Sequence, residues 1–286
     1  MNRQAIYAIL TILLIPLGLL WVFVYMTTDT PAPKHVPVKI VTDNVAYQQI
    51  AASVAGKSGQ VTLVSANLPT KNQRQAFKSA EIILTDSHQD QLLTQRNKQQ
   101  LHSKILVASD VVNDQGAGNY WLSPEIMLRT INRLSDLLSD FDPQNRDVYM
   151  HNSQKLLDNH QALSNGINTL KSKNNVQYIA TNNAQQIFMS QLNYRRVLPD
   201  VETADDKAFD QISQDFKAKK IKFILTAPQD QSQNDQRLVK LAKDAKIPVI
   251  TFNQVLPHDE NILAWQFNFV TQINNAIQTI ESGRSE

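Results

Sequence analysis

The sequence predicts an α/β protein of two lobes, each with a mostly parallel sheet flanked by helices, joined by a long backbone helix. Three observations predict it. Short apolar runs alternate with amphipathic segments in both halves of the chain, which is the pattern of βα units. Between the halves lie roughly 45 residues with helical spacing and no strand signal. The 286 residues, 42% of them hydrophobic, suffice for about two domains with sizeable cores.

The first element is Ala5–Met26, 22 residues without a charge. About 20 apolar residues span a bilayer as a helix. Arg3 precedes the run and no basic residue follows until Lys34. The positive-inside rule then puts the N-terminus in the cytoplasm and the bulk of the chain outside. Trp21 and Tyr25 stand where an interfacial aromatic belt lies. A cleaved signal peptide has an apolar core of about 7–15 residues and a small-x-small site, and Val22–Tyr25 supplies no such site. Residues 1–26 therefore read as an uncleaved signal anchor, a single transmembrane helix. Thr27–Pro37 is rich in Pro and Thr and reads as an extended linker.

Folded structure is expected from Val38. Val38–Val41, Val61–Val64, Ile82–Leu84 and Ile105–Val107 read as strands. Ala46–Ala55, Gln73–Lys78 and Gln89–Gln99 read as the helices between them. Ser123-Pro124-Glu125 opens a further helix, with Ser as N-cap and Pro as first helical residue. Ile126, Ile131, Leu134, Leu137 and Leu138 form its apolar stripe. Asp142-Pro143 opens the long helix, which runs to about Lys171 on Val148, Leu156, Leu163, Ile167 and Leu170. The βα pattern then resumes, with strands at Val176–Ala180, Arg196–Leu198, Ile221–Leu225 and Ile247–Ile250. Helices are expected at Gln185–Leu192, Phe209–Lys219 and Asp235–Ala245, and a last one carries Ile262, Phe269, Ile273, Ile277 and Ile280. The expected domains are an N-terminal lobe (38–142), a connecting helix (143–173) and a C-terminal lobe (174–286). A cleft between lobes is the usual place for a ligand.

Composition removes several function classes. The formal net charge is +2 and no Lys/Arg cluster stands out, so no nucleic-acid partner is expected. The absence of cysteine excludes disulfides, thiolate zinc sites, thiol nucleophiles and a lipid-modified cysteine anchor. Only seven glycines occur, and Gly116-Ala117-Gly118 holds the one close pair, so no phosphate-cradling loop is present. No serine stands in a nucleophile-elbow context and no Ser/His/Asp set is recognisable, so the chain does not read as an enzyme.

Several stretches resemble the metal-specific (zinc/manganese) solute-binding proteins of bacterial ABC transporters, the family of the adhesin-like lipoproteins. Val38–Asn44 (VKIVTDN) is similar to that family's first strand and turn. Gly118–Glu125 (GNYWLSPE) is similar to its DPHxWLDPE segment. Asp142, Pro143, Asn145, Tyr149 and Asn152 fall on the DPxNxxxYxxN pattern that starts its backbone helix. Ile179–Ala184 (IATNNA), Lys219–Gln229 (KKIKFILTAPQ) and Val249–Leu256 (VITFNQVL) resemble its SHDA, EPQ and last-strand segments. The resemblance covers about residues 38–282, and the order and spacing of these segments carry it more than any one of them.

The resemblance implies Zn²⁺ or Mn²⁺ held by imidazole and carboxylate ligands from both lobes. Here those positions depart one after another. The segment carrying the first His is missing between Ser65-Ala66-Asn67-Leu68 and Pro69-Thr70. The second and third His correspond to Asn119 and Asn182, the Glu to Ala227, and the final Asp to Asn253. The family's His/acid-rich loop is also absent. Asn is a neutral, weak ligand for divalent transition metals. The implied reading is a retained scaffold with a lost metal site.

Two of the six histidines offer alternative ligands. His88 follows the strand at 82–84 beside Asp86 and Asp90, and His258-Asp259-Glu260 follows the last strand. Strand ends in open α/β sheets face the ligand crevice. The other reading of His258-Asp259-Glu260 is the start of the C-terminal helix, where acids suit the helix dipole. The expected function is an extracytoplasmic solute-binding-protein-like component of a zinc or manganese ABC transport system. It is anchored in the cell membrane by a single pass, with an ABC permease as partner. The alternative is an interaction or regulatory protein that reuses the fold, its cleft (Asn119, Asn182, Asn253) taking a small polar ligand.

Overall fold

Polar punctuation sets where the helices begin. Asn44, Thr70, Asp90, Ser123, Asp205, Ser232 and Asn261 each stand at an N-cap and accept a backbone N–H through the side chain. Such a cap contributes about 1 kcal/mol by satisfying a donor the helix cannot. The computed structural model describes residues 3–28, 36–114, 116, 118–229, 231–253, 255–257 and 259–283. They fall into two units, Met1–Val36 and Pro37–Glu286.

The first unit is one helix, α1 (Arg3–Thr28), with Pro16 inside it. Its described apolar side chains are exposed, Leu20 and Phe23 among them. Among the described residues no helix is long and apolar enough to cross a membrane. Six side chains of α1, at 5, 6, 8, 9, 27 and 28, lie outside that description. Of the expected linker, residues 29–35 lie outside the described residues.

The second unit holds two four-stranded sheets. The first contains β1 (Val38–Thr42), β2 (Gly59–Leu63), β3 (Ile82–Thr85) and β4 (Lys104–Val107) in the order β2-β1-β3-β4. The second contains β5 (Gln177–Ala180), β6 (Arg195–Arg196), β7 (Ile221–Thr226) and β8 (Val249–Thr251) in the order β6-β5-β7-β8. Every pairing is parallel. Parallel strands need crossover helices, which cover both faces of the sheet. That is why Ile82-Ile83-Leu84-Thr85 is buried at all four positions.

The crossovers of the first sheet include α2 (Val45–Ala55), α3 (Lys71–Lys78) and α4 (Gln91–Lys98). Seven residues, Val64–Thr70, join β2 to α3 where the resemblance places a longer histidine-bearing segment. Between the sheets run α5 (Pro124–Phe141), α6 (Arg146–Asn159) and α7 (Gln161–Lys171). The expected connecting helix is present as α6 and α7, interrupted at the single residue His160, whose φ of −113 and ψ of 22 leave the helical region. Asp158, Asn159 and His160 are all weak helix formers, and Asp and Asn compete with the backbone for its hydrogen bonds. The second sheet is served by α8 (Gln186–Gln191), α9 (Asp206–Lys217) and α10 (Gln233–Asp244), and α11 (Ile262–Glu281) closes the chain.

The two sheets share one core. A continuous buried cluster runs from Ile40 and Tyr47 through Ile126, Leu134, Leu163 and Phe269 to Phe223 and Leu225. Full burial of each such side chain is worth about 1.5–3 kcal/mol. Trp121 and Trp265 stack within this region, with ring centroids 6.0 Å apart. Gln266 Nε2 donates to the Trp121 carbonyl at 2.8 Å. The Gln49 amide on α2 donates to Glu260 O at 3.0 Å and accepts from Ile262 N at 2.9 Å. These contacts lock the start of α11 onto the first lobe.

Candidate ligand cleft between the lobes

Strand order reverses once in each sheet, between β1 and β3 and between β5 and β7. The carboxyl ends of strands at such a point form a crevice suited to ligands. Asp43 follows β1 and Asp86 follows β3. In the second sheet Thr181-Asn182 follows β5, and Ala227 follows β7.

The acids of the first sheet are engaged within the protein. Asp86 Oδ2 accepts from Tyr120 N at 3.0 Å and Oδ1 from Trp121 N at 2.9 Å. Oδ1 also accepts a short hydrogen bond from the Tyr47 hydroxyl. Burial pushes the Asp86 carboxyl up to about 6, against the downward pull of these three donors. Burial and then the neighbouring charge of Asp90 push Asp43 up to about 7, and the two carboxyls are hydrogen-bonded to each other. Asp90 in turn caps α4 through Leu92 N. This group orders the turns after β1 and β3 and the segment that leads into α5.

A cleft of about 910 Å³ opens between the lobes. The first lobe contributes Val112, Asn113, Asp114, Gly116, Gly118, Asn119 and Tyr120. The second contributes Asn182, Asn183, Ala184, Gln186, Ile187, Ser190 and Gln191. The lobes touch at one end, where a Cβ on Gly118 would stand 2.3 Å from Ile187 Cδ1. Ser123 Oγ, at the N-cap of α5, donates across to Gln191 Oε1 at 3.2 Å.

Of the positions marked by the resemblance, Asn119 and Asn182 line this cleft together. Ala227 is buried beyond the end of β7, and half-buried Asn253 follows β8; neither is among the residues lining the cleft. His88 stands apart on the surface, its Nε2 2.6 Å from Asp110 Oδ1. His258 lies outside the described residues. Among the described residues no group of three or more His, Asp or Glu is placed to hold a metal ion. The lining amides at 183, 186 and 191 and the role of Asp43 escaped the sequence reading, which placed Asp86 and Asp90 only beside His88 at a possible metal site. Their signals were the tandem Asn182-Asn183 at a strand end, the i, i+4 spacing of Gln186/Ser190 and Ile187/Gln191 on α8, and acids directly after two strands.

The sequence matches the family described as "ZnuA: Zinc-uptake complex component A periplasmic" over residues 40–283. The chain belongs to this family. Its members are solute-binding components of zinc and manganese ABC transport, an extracytoplasmic transport role rather than a catalytic one. Among solved structures, the laminin-binding adhesin Lmb of Streptococcus agalactiae superposes with a TM-score of 0.60 at 14% identity, covering 84% of this chain and 99% of that one. A periplasmic metal binding protein of Candidatus Liberibacter asiaticus gives 0.59 at 16% identity, covering 83% and 98%. A Zn(II)-bound variant of AdcAII from Streptococcus pneumoniae gives 0.58 at 16%, covering 84% and 98%. At these identities the likeness shows the fold alone. No curated protein sequence matches the chain.

Proposed function

We propose that this ZnuA-family chain acts outside the cytoplasm beside an ABC permease, with a cleft that no longer holds zinc or manganese. The observation that carries the reading is the pairing of Asn119 and Asn182 in the inter-lobe cleft, where the family resemblance calls for two histidines. A neutral amide offers a divalent transition metal neither charge nor imidazole nitrogen. The short connection at Val64–Thr70, which carries no histidine, and the alanine at 227 support the same loss.

The chain is held at the membrane by its N-terminal helix, residues 1–26, with 27–37 as linker and the lobes 38–142 and 174–286 outside. The uncharged run Ala5–Met26 supports this placement.

The test is calorimetric titration of Zn²⁺ and Mn²⁺ into the metal-stripped full chain in detergent. No saturable heat at micromolar metal is expected. Micromolar or tighter binding that disappears in Asn119→Ala and Asn182→Ala would overturn the reading. The double change Asn119→His with Asn182→His is expected to create measurable zinc binding, because it returns imidazole nitrogens to two positions of one cleft.

A further inference from the structure

The cleft is lined largely by amides, and the orientation of three of them can be worked out. A backbone N–H and a guanidinium can only donate. The atom of Asn182 that meets Ala184 N at 3.0 Å is therefore its carbonyl oxygen. The atom of Asn183 that meets Arg196 Nη1 is likewise its oxygen. Ser123 Oγ donates to Gln191 Oε1 at 3.2 Å. All three carbonyls are thus used inside the protein. Their NH₂ groups, two donors each, meet no protein acceptor among the described residues and belong to side chains that line the cleft.

Charge and shape narrow what those donors suit. Asp114, which accepts from Gly116 N at 2.9 Å, is the one formally charged side chain among the described lining residues; the Arg196 guanidinium, bonded to Asn183, is not among them. Its volume, about 910 Å³, is that of a site for an organic molecule rather than for a bare ion. Tyr120 is the one aromatic residue in the lining and is 1% exposed, so no ring is available as a plate for a sugar face.

We propose that the cleft takes a short peptide with a free amino terminus, its backbone carbonyls accepting from the amides of Asn182, Asn183 and Gln191 and its ammonium facing Asp114. This rests on the reading of the chain as a binding protein whose cleft has lost its metal, and names the ligand class of that cleft.

The test passes a random tetrapeptide library, amino-terminus free and carboxyl-terminus amidated, over the full chain in detergent. Bound peptides are identified by mass spectrometry, and the most enriched is resynthesised for calorimetry. Saturable binding is expected. The isosteric changes Asn182→Asp and Gln191→Glu keep the accepting oxygens, remove the donors and add two negative charges that repel a peptide's carbonyl oxygens. Combined, they are expected to weaken binding by about tenfold or more while the melting midpoint stays near that of the parent. Acetylating the peptide's amino terminus is expected to weaken binding to the parent chain as well. Absence of enrichment, affinity unaffected by the double change, or binding of maltotriose in place of peptide would each overturn the proposal. Zinc titrated into the same preparation separates the two readings. Peptide failure without zinc binding removes the peptide alone, whereas tight zinc binding in the cleft removes the metal-loss reading beneath it.

Discussion

At the switch point of the first sheet the chain places Asp43 and Asp86, and at the corresponding point of the second it places Asn182 and Ala227. The first pair is acidic and held within the protein: Asp86 by Tyr47, Tyr120 N and Trp121 N, and Asp43 beside Asp90. The second pair is uncharged, and its one polar member lines the open cleft. Topologically equivalent strand ends thus serve different ends. In the first lobe the polar groups hold turns together, and in the second they face a space large enough for a ligand. Polarity at a strand end does not by itself mark a binding residue; its hydrogen-bond partners decide.

The comparison is broken most directly at Asp86. Asp86→Ala leaves three donors without their acceptor and is expected to cost about 2–3 kcal/mol in chemical denaturation. Asp86→Asn retains one accepting oxygen and should cost less. A loss below about 0.5 kcal/mol for the alanine variant would show that Asp86 does not tie β3 to the segment before α5.

A smaller effect is expected at Asp43 and depends on pH. Its folded pKa, about 7, lies above the ordinary 3.8, so the folded state takes up a proton between these values. The resulting cost to stability is absent below about pH 4 and fully present above about pH 7. Asp43→Asn removes that cost. After allowance for the partial exposure of the group, it should stabilise on the order of 1 kcal/mol at pH 8 and far less at pH 5. Melting curves at the two pH values check this, and equal shifts at both would count against a shared proton.

The second lobe is expected to respond weakly. Gln185, beside the cleft residues Ala184 and Gln186, buries both amide atoms without a partner among the described residues. Gln185→Met should therefore be neutral or stabilise by about 1 kcal/mol. Asn182→Asp preserves the bond to Ala184 N and should change stability by less than about 0.5 kcal/mol. A large loss in either would mean that the second strand-end region is structural too.

Much of the fold could be read in advance. Short apolar runs located most strands of both sheets, though the expected Arg196–Leu198 meets β6 at one residue only and Ile247–Ile250 meets β8 at two, and the cap Ser123 set a helix start, because these signals are local. The break at His160 was not legible. It interrupts an apolar stripe that continues on Leu163, Ile167 and Leu170, and periodicity alone does not register a single residue outside the helical region. For the cleft, the resemblance supplied Asn119 and Asn182, which the fold brings together across the lobes. It also supplied Ala227 and Asn253, which are not among the lining residues. Ala227 is buried beyond β7 and Asn253 is half-buried after β8, and spacing in sequence does not determine such burial. The inward-facing acids were missed for a related reason. Asp43 looks like an ordinary turn residue, and Asp86 and Asp90 like companions of His88, until Tyr47 and the backbone before α5 are seen to close over Asp86.

The stacked pair Trp121 and Trp265 gives the molecule an optical property. Only three tryptophans are present, and the third, Trp21, lies in α1. Two indoles 6.0 Å apart and 21° from parallel share their excited states, and their coupling produces a signed couplet in circular dichroism that falls steeply with distance. One of these rings belongs to the segment entering α5 and the other to α11. Any movement that separates the first lobe from the last helix would dim the couplet before the secondary-structure signal changed, so the chain carries an intrinsic, label-free gauge of the contact between the first lobe and α11.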